Sequence, residues 1–222
     1  MAFLSRGALA ALLVGCTIAS GNAADRAIIV LDASGSMWGQ IDGKPKLEIA
    51  RETLRKVLQS VPVDMELGLF AYGHREKGSC TDIELVVPPA VGTAAAITQA
   101  ADTMKFLGKT PLSAAVRQAA ESLRYTEEKS TVILITDGLE TCEADPCALG
   151  KELEESGVDF TAHVVGFGLT ADDGREVACL AENTGGKYLQ ASDANGLKDA
   201  LTATVVAPQP APEPAPPVVA EP

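Results

Sequence analysis

Ala27-Ile28-Ile29-Val30-Leu31-Asp32-Ala33-Ser34-Gly35-Ser36 is the stretch on which the reading of this 222-residue chain turns. Five consecutive apolar residues run straight into an acid and two hydroxyls. An unbroken apolar run of that length marks a strand covered on both faces, as in a parallel sheet held between helices. Thr131-Val132-Ile133-Leu134-Ile135-Thr136 repeats the pattern and ends in Asp137-Gly138. Weaker strand signals lie at 65–72, 82–87, 159–167 and 187–189. The first two leave no room for a helix between them, so they are expected to form a hairpin whose second strand is an antiparallel edge.

Helical spacing fills the remaining gaps. Leu47, Ala50, Leu54 and Val57/Leu58 form one apolar stripe. Leu112, Ala115/Val116, Ala119/Ala120 and Leu123 form another, with Thr110-Pro111 as its expected N-cap and first-turn proline. Further helices are expected at 93–104, 146–155, 171–182 and 194–205. Strands alternating with helices predict an α/β fold: a doubly wound, mostly parallel six-stranded sheet with one antiparallel edge strand and helices on both faces.

In such sheets ligands gather at the carboxyl ends of the strands, where strand order reverses. Asp32, Ser34 and Ser36 stand there, Thr110 opens a helix, and Asp137 closes the second strong strand. Carboxylates, hydroxyls and water are the ligands of a hard divalent cation, Mg²⁺ first, with Mn²⁺ or Ca²⁺ as alternatives. Singly, each residue is also an ordinary turn or capping residue; their joint placement carries the reading.

Asp-x-Ser-x-Ser, a distant Thr, and Thr-Asp-Gly after a later strand resemble the metal-ion-dependent adhesion site (MIDAS) of von Willebrand factor type A domains. Gly166-Phe167-Gly168 and Thr184-Gly185-Gly186-Lys187-Tyr188 look like the closing strands of that family. The resemblance spans about residues 25–205. It implies that Ser34, Ser36 and Thr110 contact the metal, that Asp32 and Asp137 act largely through waters, and that an Asp or Glu of a protein partner completes the coordination.

Enzyme readings fit less well. A calcium-binding EF-hand loop needs Gly at its sixth position and Glu at its twelfth, where Met37 and Gly43 stand. Gly35-Ser36-Met37-Trp38-Gly39 places its serine one position early for a hydrolase nucleophile elbow. The chain has only two histidines, His74 and His163, both read as structural. Catalysis is not expected. Trp38, the sole tryptophan, either shapes the ligand surface or covers the metal loop. Glu140 either orients a metal-bound water or is a solvated loop charge.

A formal net charge of −12 argues against binding nucleic acid or an anionic membrane surface, since phosphates call for a basic face. Residues 1–23 have a secretory layout: Arg6, an apolar run over 7–19 too short for a comfortable membrane span, then Ser20, Gly21 and Ala23. Cleavage after Ala23 is the first choice. Leu13-Val14-Gly15-Cys16 competes as a lipoprotein cleavage box that would leave Cys16 acylated. Either route places a bacterial protein in the periplasm or cell envelope, in the second case as an outer-membrane lipoprotein. At the far end, residues 207–222 hold seven of the 13 prolines. As polyproline II, this Pro/Ala-rich tail would reach about 50 Å.

Residues 24–206 therefore form the expected domain. They contain Cys80, Cys142, Cys147 and Cys179, an even set that reads as two disulfides in an exported protein. The expected topology puts Cys80 and Cys142 in loops on the metal-site face and Cys147 and Cys179 on neighbouring helices. That favours 80–142 with 147–179, and the local pair 142–147 is the main rival. The chain reads as an exported, metal-dependent protein-binding module. The alternative is an envelope scaffold whose tail makes the contacts.

Overall fold

A computed structural model describes residues 25–206; the leader, the lipoprotein box and the proline-rich tail lie outside the described residues. In chain order the elements are β1 (Arg26–Asp32), a small hairpin of β2 (Gln40–Ile41) and β3 (Lys44–Pro45), and α1 (Lys46–Val57). Next come β4 (Glu66–Tyr72), β5 (Ile83–Ala90), α2 (Ala94–Thr103), α3 (Leu112–Ser122) and β6 (Ser130–Thr136). The chain then forms α4 (Pro146–Ser156), β7 (Phe160–Phe167), α5 (Ala171–Glu182), β8 (Tyr188–Ala191) and α6 (Ala194–Leu201).

The sheet order is β5-β4-β1-β6-β7-β8. Every pairing is parallel except β4 with β5, the expected antiparallel edge. From central β1 the chain winds first toward β4 and β5, then crosses back to β6 and outward. The strand order thus reverses at β1, and its carboxyl end is the switch point.

Alternate residues of β1 face opposite layers. Ala27, Ile29 and Leu31 pack against Leu47, Ala50 and Leu54 of α1, Ile97 of α2 and Leu197 and Leu201 of α6. Ile28 and Val30 face Leu112, Val116 and Ala119 of α3, Leu149 and Leu153 of α4, and Val177 and Leu180 of α5. Both faces are dry, which is why the strand sequence shows no polar alternation.

Three local expectations shift. The small β2–β3 hairpin has no counterpart in the sequence reading. The last helix is α-helical only to Leu201 and then widens into a π-helical turn over Thr202–Val206. Pro111, not Thr110, takes the N-cap position of α3. Both disulfides of the favoured pairing are present, Cys80–Cys142 with Cα atoms 5.7 Å apart and Cys147–Cys179 at 5.1 Å.

Candidate metal centre

Asp32 is the last residue of β1 and fully buried. Its Oδ1 accepts the Ser34 backbone N–H at 2.8 Å, bending the chain into the Asp-x-Ser turn. Its Oδ2 accepts the Thr136 hydroxyl at 2.8 Å and the Asp137 backbone N–H at 3.4 Å. Thr136 in turn receives the Tyr72 hydroxyl at 3.3 Å. Asp32 thus locks the ends of β1 and β6 together through donors that carry no charge. Burial pushes its carboxyl pKa up, and the neighbouring negative charge of Asp137 pushes it further. The same burial, with Asp32 beside it, lifts the Tyr72 phenol well above its usual value.

The turn after Asp32 delivers two hydroxyls. Ser34 Oγ lies 2.8 Å from Ser36 Oγ, and Ser36 donates to Asp137 Oδ1 at 2.6 Å. The other Asp137 oxygen, Oδ2, accepts from Lys46 Nζ at 2.9 Å. Four of the sequence-expected residues are therefore drawn into one hydrogen-bonded constellation by the ends of adjacent strands.

Thr110 reaches it from the loop between α2 and α3. That loop lies across the ends of β1 and β4: Gly35 N–H donates to Gly108 O at 3.1 Å, and Gly108 N–H to Gly73 O at 2.8 Å. The approach needs glycine, since a Cβ on Gly108 would stand 2.5 Å from the Gly73 Cα. Gly138 shows where the Thr110 hydroxyl sits, because a Cβ there would be 3.6 Å from both Thr110 Oγ1 and Ser36 Oγ.

Thr110 is freed from capping by Glu140. The Glu140 carboxylate accepts the Ser113 N–H of α3 at 2.9 Å and the Cys142 N–H at 2.8 Å. Glu140 thus serves as a cap supplied from the loop after β6, a role that the sequence reading did not include. Thr141 completes the brace. Its Oγ1 accepts the Thr110 N–H at 2.8 Å, and its own N–H donates to Thr110 O at 3.1 Å. The Cys80–Cys142 bond fastens the same loop to the β4–β5 turn.

Trp38 ends the short 3₁₀ turn Gly35–Trp38 and is 58% exposed, while its neighbour Met37 fills the core. The indole N–H donates to Phe106 O at 2.9 Å, so the ring is anchored at one end and bare beside the site. Both histidines have structural partners. His74 Nε2 meets Glu84 Oε2 at 2.9 Å, and buried His163 accepts the Lys187 N–H on Nδ1 at 3.0 Å. Burial, helped by the charge of Lys187, lowers the His163 pKa to about 4.

Among the described residues, no three His, Cys, Asp or Glu side chains gather at metal-holding distance. The constellation instead offers hydroxyl and carboxylate oxygens, the donor set of a hard cation.

The model for the von Willebrand factor type A domain matches residues 27–140, slightly more than half of the chain. This chain belongs to that family. The chain is 28% identical over 204 residues to the uncharacterized protein YwmD of Bacillus subtilis (strain 168), covering 87% of this chain and 91% of that protein. Its fold is similar to that of the pilus adhesin SpaC from Lactobacillus rhamnosus GG, with a TM-score of 0.66 at 17% identity over 83% of this chain and 30% of that one. It is similar too to proximal thread matrix protein 1 from the mussel byssus, solved with a zinc-occupied MIDAS motif. There the TM-score is 0.61 at 16% identity, covering 82% of this chain and 45% of that one. The chain thus spans less than half the length of either solved structure. Sequence reading passed over Lys46 and Thr141, whose roles depend on contacts between distant segments.

Proposed function

We propose that this vWA domain is a metal-dependent protein-binding module acting outside the cytoplasm. A divalent cation, Mg²⁺ first, is held by Ser34, Ser36 and Thr110 with Asp32 and Asp137, and an Asp or Glu of a partner protein completes its coordination. The observation that carries the reading is the convergence of three hydroxyls and two carboxylates from three chain segments on the switch point of the sheet. The cation would supply a positive charge to which a carboxylate can bind. The chain's own residues orient it: Asp32 by holding the turn, Thr141 and Glu140 by bracing Thr110. Trp38 offers an apolar surface beside that point for the partner residue's neighbours.

Two features support export: the secretory layout of residues 1–23 and two disulfides, bonds that persist in oxidising compartments. Among the described residues no helix is long and apolar enough to cross a membrane. The solved relatives include a pilus adhesin and a metal-occupied MIDAS, consistent with adhesion-type binding. A binding role is favoured over catalysis because the hydrogen bonds of the two histidines go to Glu84 and to the Lys187 N–H, not to a hydroxyl of the cluster.

Calorimetric titration of the oxidised protein with Mg²⁺, Mn²⁺ and Ca²⁺, beside Asp32→Ala, tests this. Saturable one-site binding by the wild type, lost in the variant, is expected. No saturable binding by the wild type would overturn the reading and move the search for contacts to residues 207–222.

A further inference from the structure

The family's metal-site motif does not account for Lys46. It is the first residue of α1, yet its side chain turns inward and is only 14% exposed. The hairpin ahead of α1 sets its position, and its backbone N–H donates to Gly39 O at 2.8 Å. Its stem runs past two glycines: a Cβ on Gly168 would stand 2.9 Å from Lys46 Cε, and one on Gly39 would stand 3.6 Å away. The ammonium ends 2.9 Å from Asp137 Oδ2, and the Asp137 side chain is fully buried. Asp137 is therefore divided between a metal-site hydroxyl on Oδ1 and a fixed cation on Oδ2.

We infer that Lys46 is a built-in countercharge that weakens metal binding and reserves the loaded site for an anionic ligand. The inference rests on the metal-dependent reading of the same site. With both carboxylates ionised, Asp32 and Asp137 against Lys46 leave one net negative charge. A bound divalent cation turns that into one net positive charge, which a single carboxylate neutralises. Without Lys46 the loaded site would be neutral and would hold little preference for a carboxylate over an uncharged oxygen. At this separation and in so largely buried a setting, a unit charge is strong enough to shift binding by an order of magnitude.

The test is Mn²⁺ binding by calorimetry, with and without acetate as the carboxylate probe, on wild type, Lys46→Met, Lys46→Gln and Lys46→Arg. Thermal melts verify that each variant is folded. The two neutral variants should bind Mn²⁺ about tenfold more tightly, while Arg, which keeps the charge, stays within about threefold of wild type. Acetate should tighten Mn²⁺ binding by the wild type and lose that effect in Lys46→Met and Lys46→Gln, because the two ligands are thermodynamically linked. A lysine that merely pins α1 to β6 would lower melting temperature without tightening Mn²⁺. Equal or weaker Mn²⁺ binding by a folded neutral variant overturns the countercharge alone. Absence of Mn²⁺ binding by the wild type removes the functional reading and this inference with it.

Discussion

Two sets of hydrogen-bonded polar groups flank and cap this sheet, and they are satisfied in opposite ways. On the flank, His163 and Thr184 answer to backbone. His163 accepts from Lys187 N–H, and Thr184 Oγ1 accepts from Ala162 N–H at 3.0 Å and lies within reach of the Leu180 and Ala181 carbonyls. At the switch point, Ser34, Ser36, Asp137 and Lys46 answer largely to one another. Backbone partners cannot be exchanged without unmaking a strand or helix end, so the flank groups fix the fold. Side chains that satisfy each other can be re-partnered by a ligand at little cost to the scaffold. Asp32 belongs to both sets, since it orders the turn while keeping its charge uncompensated.

The disulfides give the widest separation between the two regions. Each closes a long loop, with sequence separations of 62 and 32 residues, and the chain-entropy model assigns each about 4 kcal/mol. Removing Cys147–Cys179 as a double alanine variant should lower stability in denaturant melts and leave metal affinity near wild type. Removing Cys80–Cys142 should cost similar stability and weaken metal binding as well, because Cys142 adjoins the Thr141 brace on Thr110. Equal metal affinities in the two variants would show that the loop after β6 is held without the bond.

His163 predicts a pH dependence that belongs to the flank alone. Its folded pKa of about 4 lies below the ordinary 6.5, so the unfolded chain gains a proton first as pH falls. Stability is unaffected above about pH 6.5 and declines toward pH 4, where the folded form also protonates. The loss amounts to about 3 kcal/mol. His163→Asn, which preserves an acceptor for Lys187 N–H, should flatten that part of the profile relative to wild type. Metal affinity at neutral pH should not change. A parallel profile would place the acid sensitivity elsewhere.

How much of this was legible beforehand follows the same division. The apolar runs 27–31 and 131–136 revealed the two buried strands because burial on both faces leaves an unmistakable pattern. The absence of a helix-length gap between β4 and β5 disclosed the antiparallel edge. Asp32, Ser34, Ser36 and Asp137 were readable because each lies within four residues of a strand end. Thr110 reads as a cap from Thr-Pro before an apolar stripe and as a metal contact only through the family resemblance. The structure assigns capping to Glu140, from a loop 27 residues further along. Lys46 left no signal, since whether a lysine at a helix start points out or in depends on how the β2–β3 hairpin aims the helix.

Asp32 should trade stability against binding. Its raised pKa means that ionisation opposes folding, so this contribution is fully favourable in acid and is lost as pH rises through the folded pKa. In chelator at neutral pH, Asp32→Asn should therefore melt higher than wild type by about 1 kcal/mol, since the amide removes an unpaired buried charge. Saturating Mg²⁺ should reverse the order by stabilising only the wild type. Lower stability of Asp32→Asn in chelator would mean that the carboxylate's hold on Ser34 and Asp137 N–H outweighs its desolvation.

Trp38 is expected to show the smallest effect, and it tests where the site ends. More than half of its surface is bare, and a single hydrogen bond to Phe106 O holds it. A substitution of that kind usually changes stability by less than about 0.5 kcal/mol. As the sole tryptophan it is also a reporter, two residues from Ser36 in the same turn. Mg²⁺ titration should alter its emission, and Trp38→Phe should abolish that signal while keeping the calorimetric affinity within about twofold. Such an outcome makes Trp38 part of the surface a partner meets, outside the cradle that holds the metal. A tenfold loss of affinity in Trp38→Phe would instead mean that the indole's bond to Phe106 O holds the Asp-x-Ser-x-Ser turn in shape. The boundary of the side-chain network would then move outward to include the loop that carries Thr110.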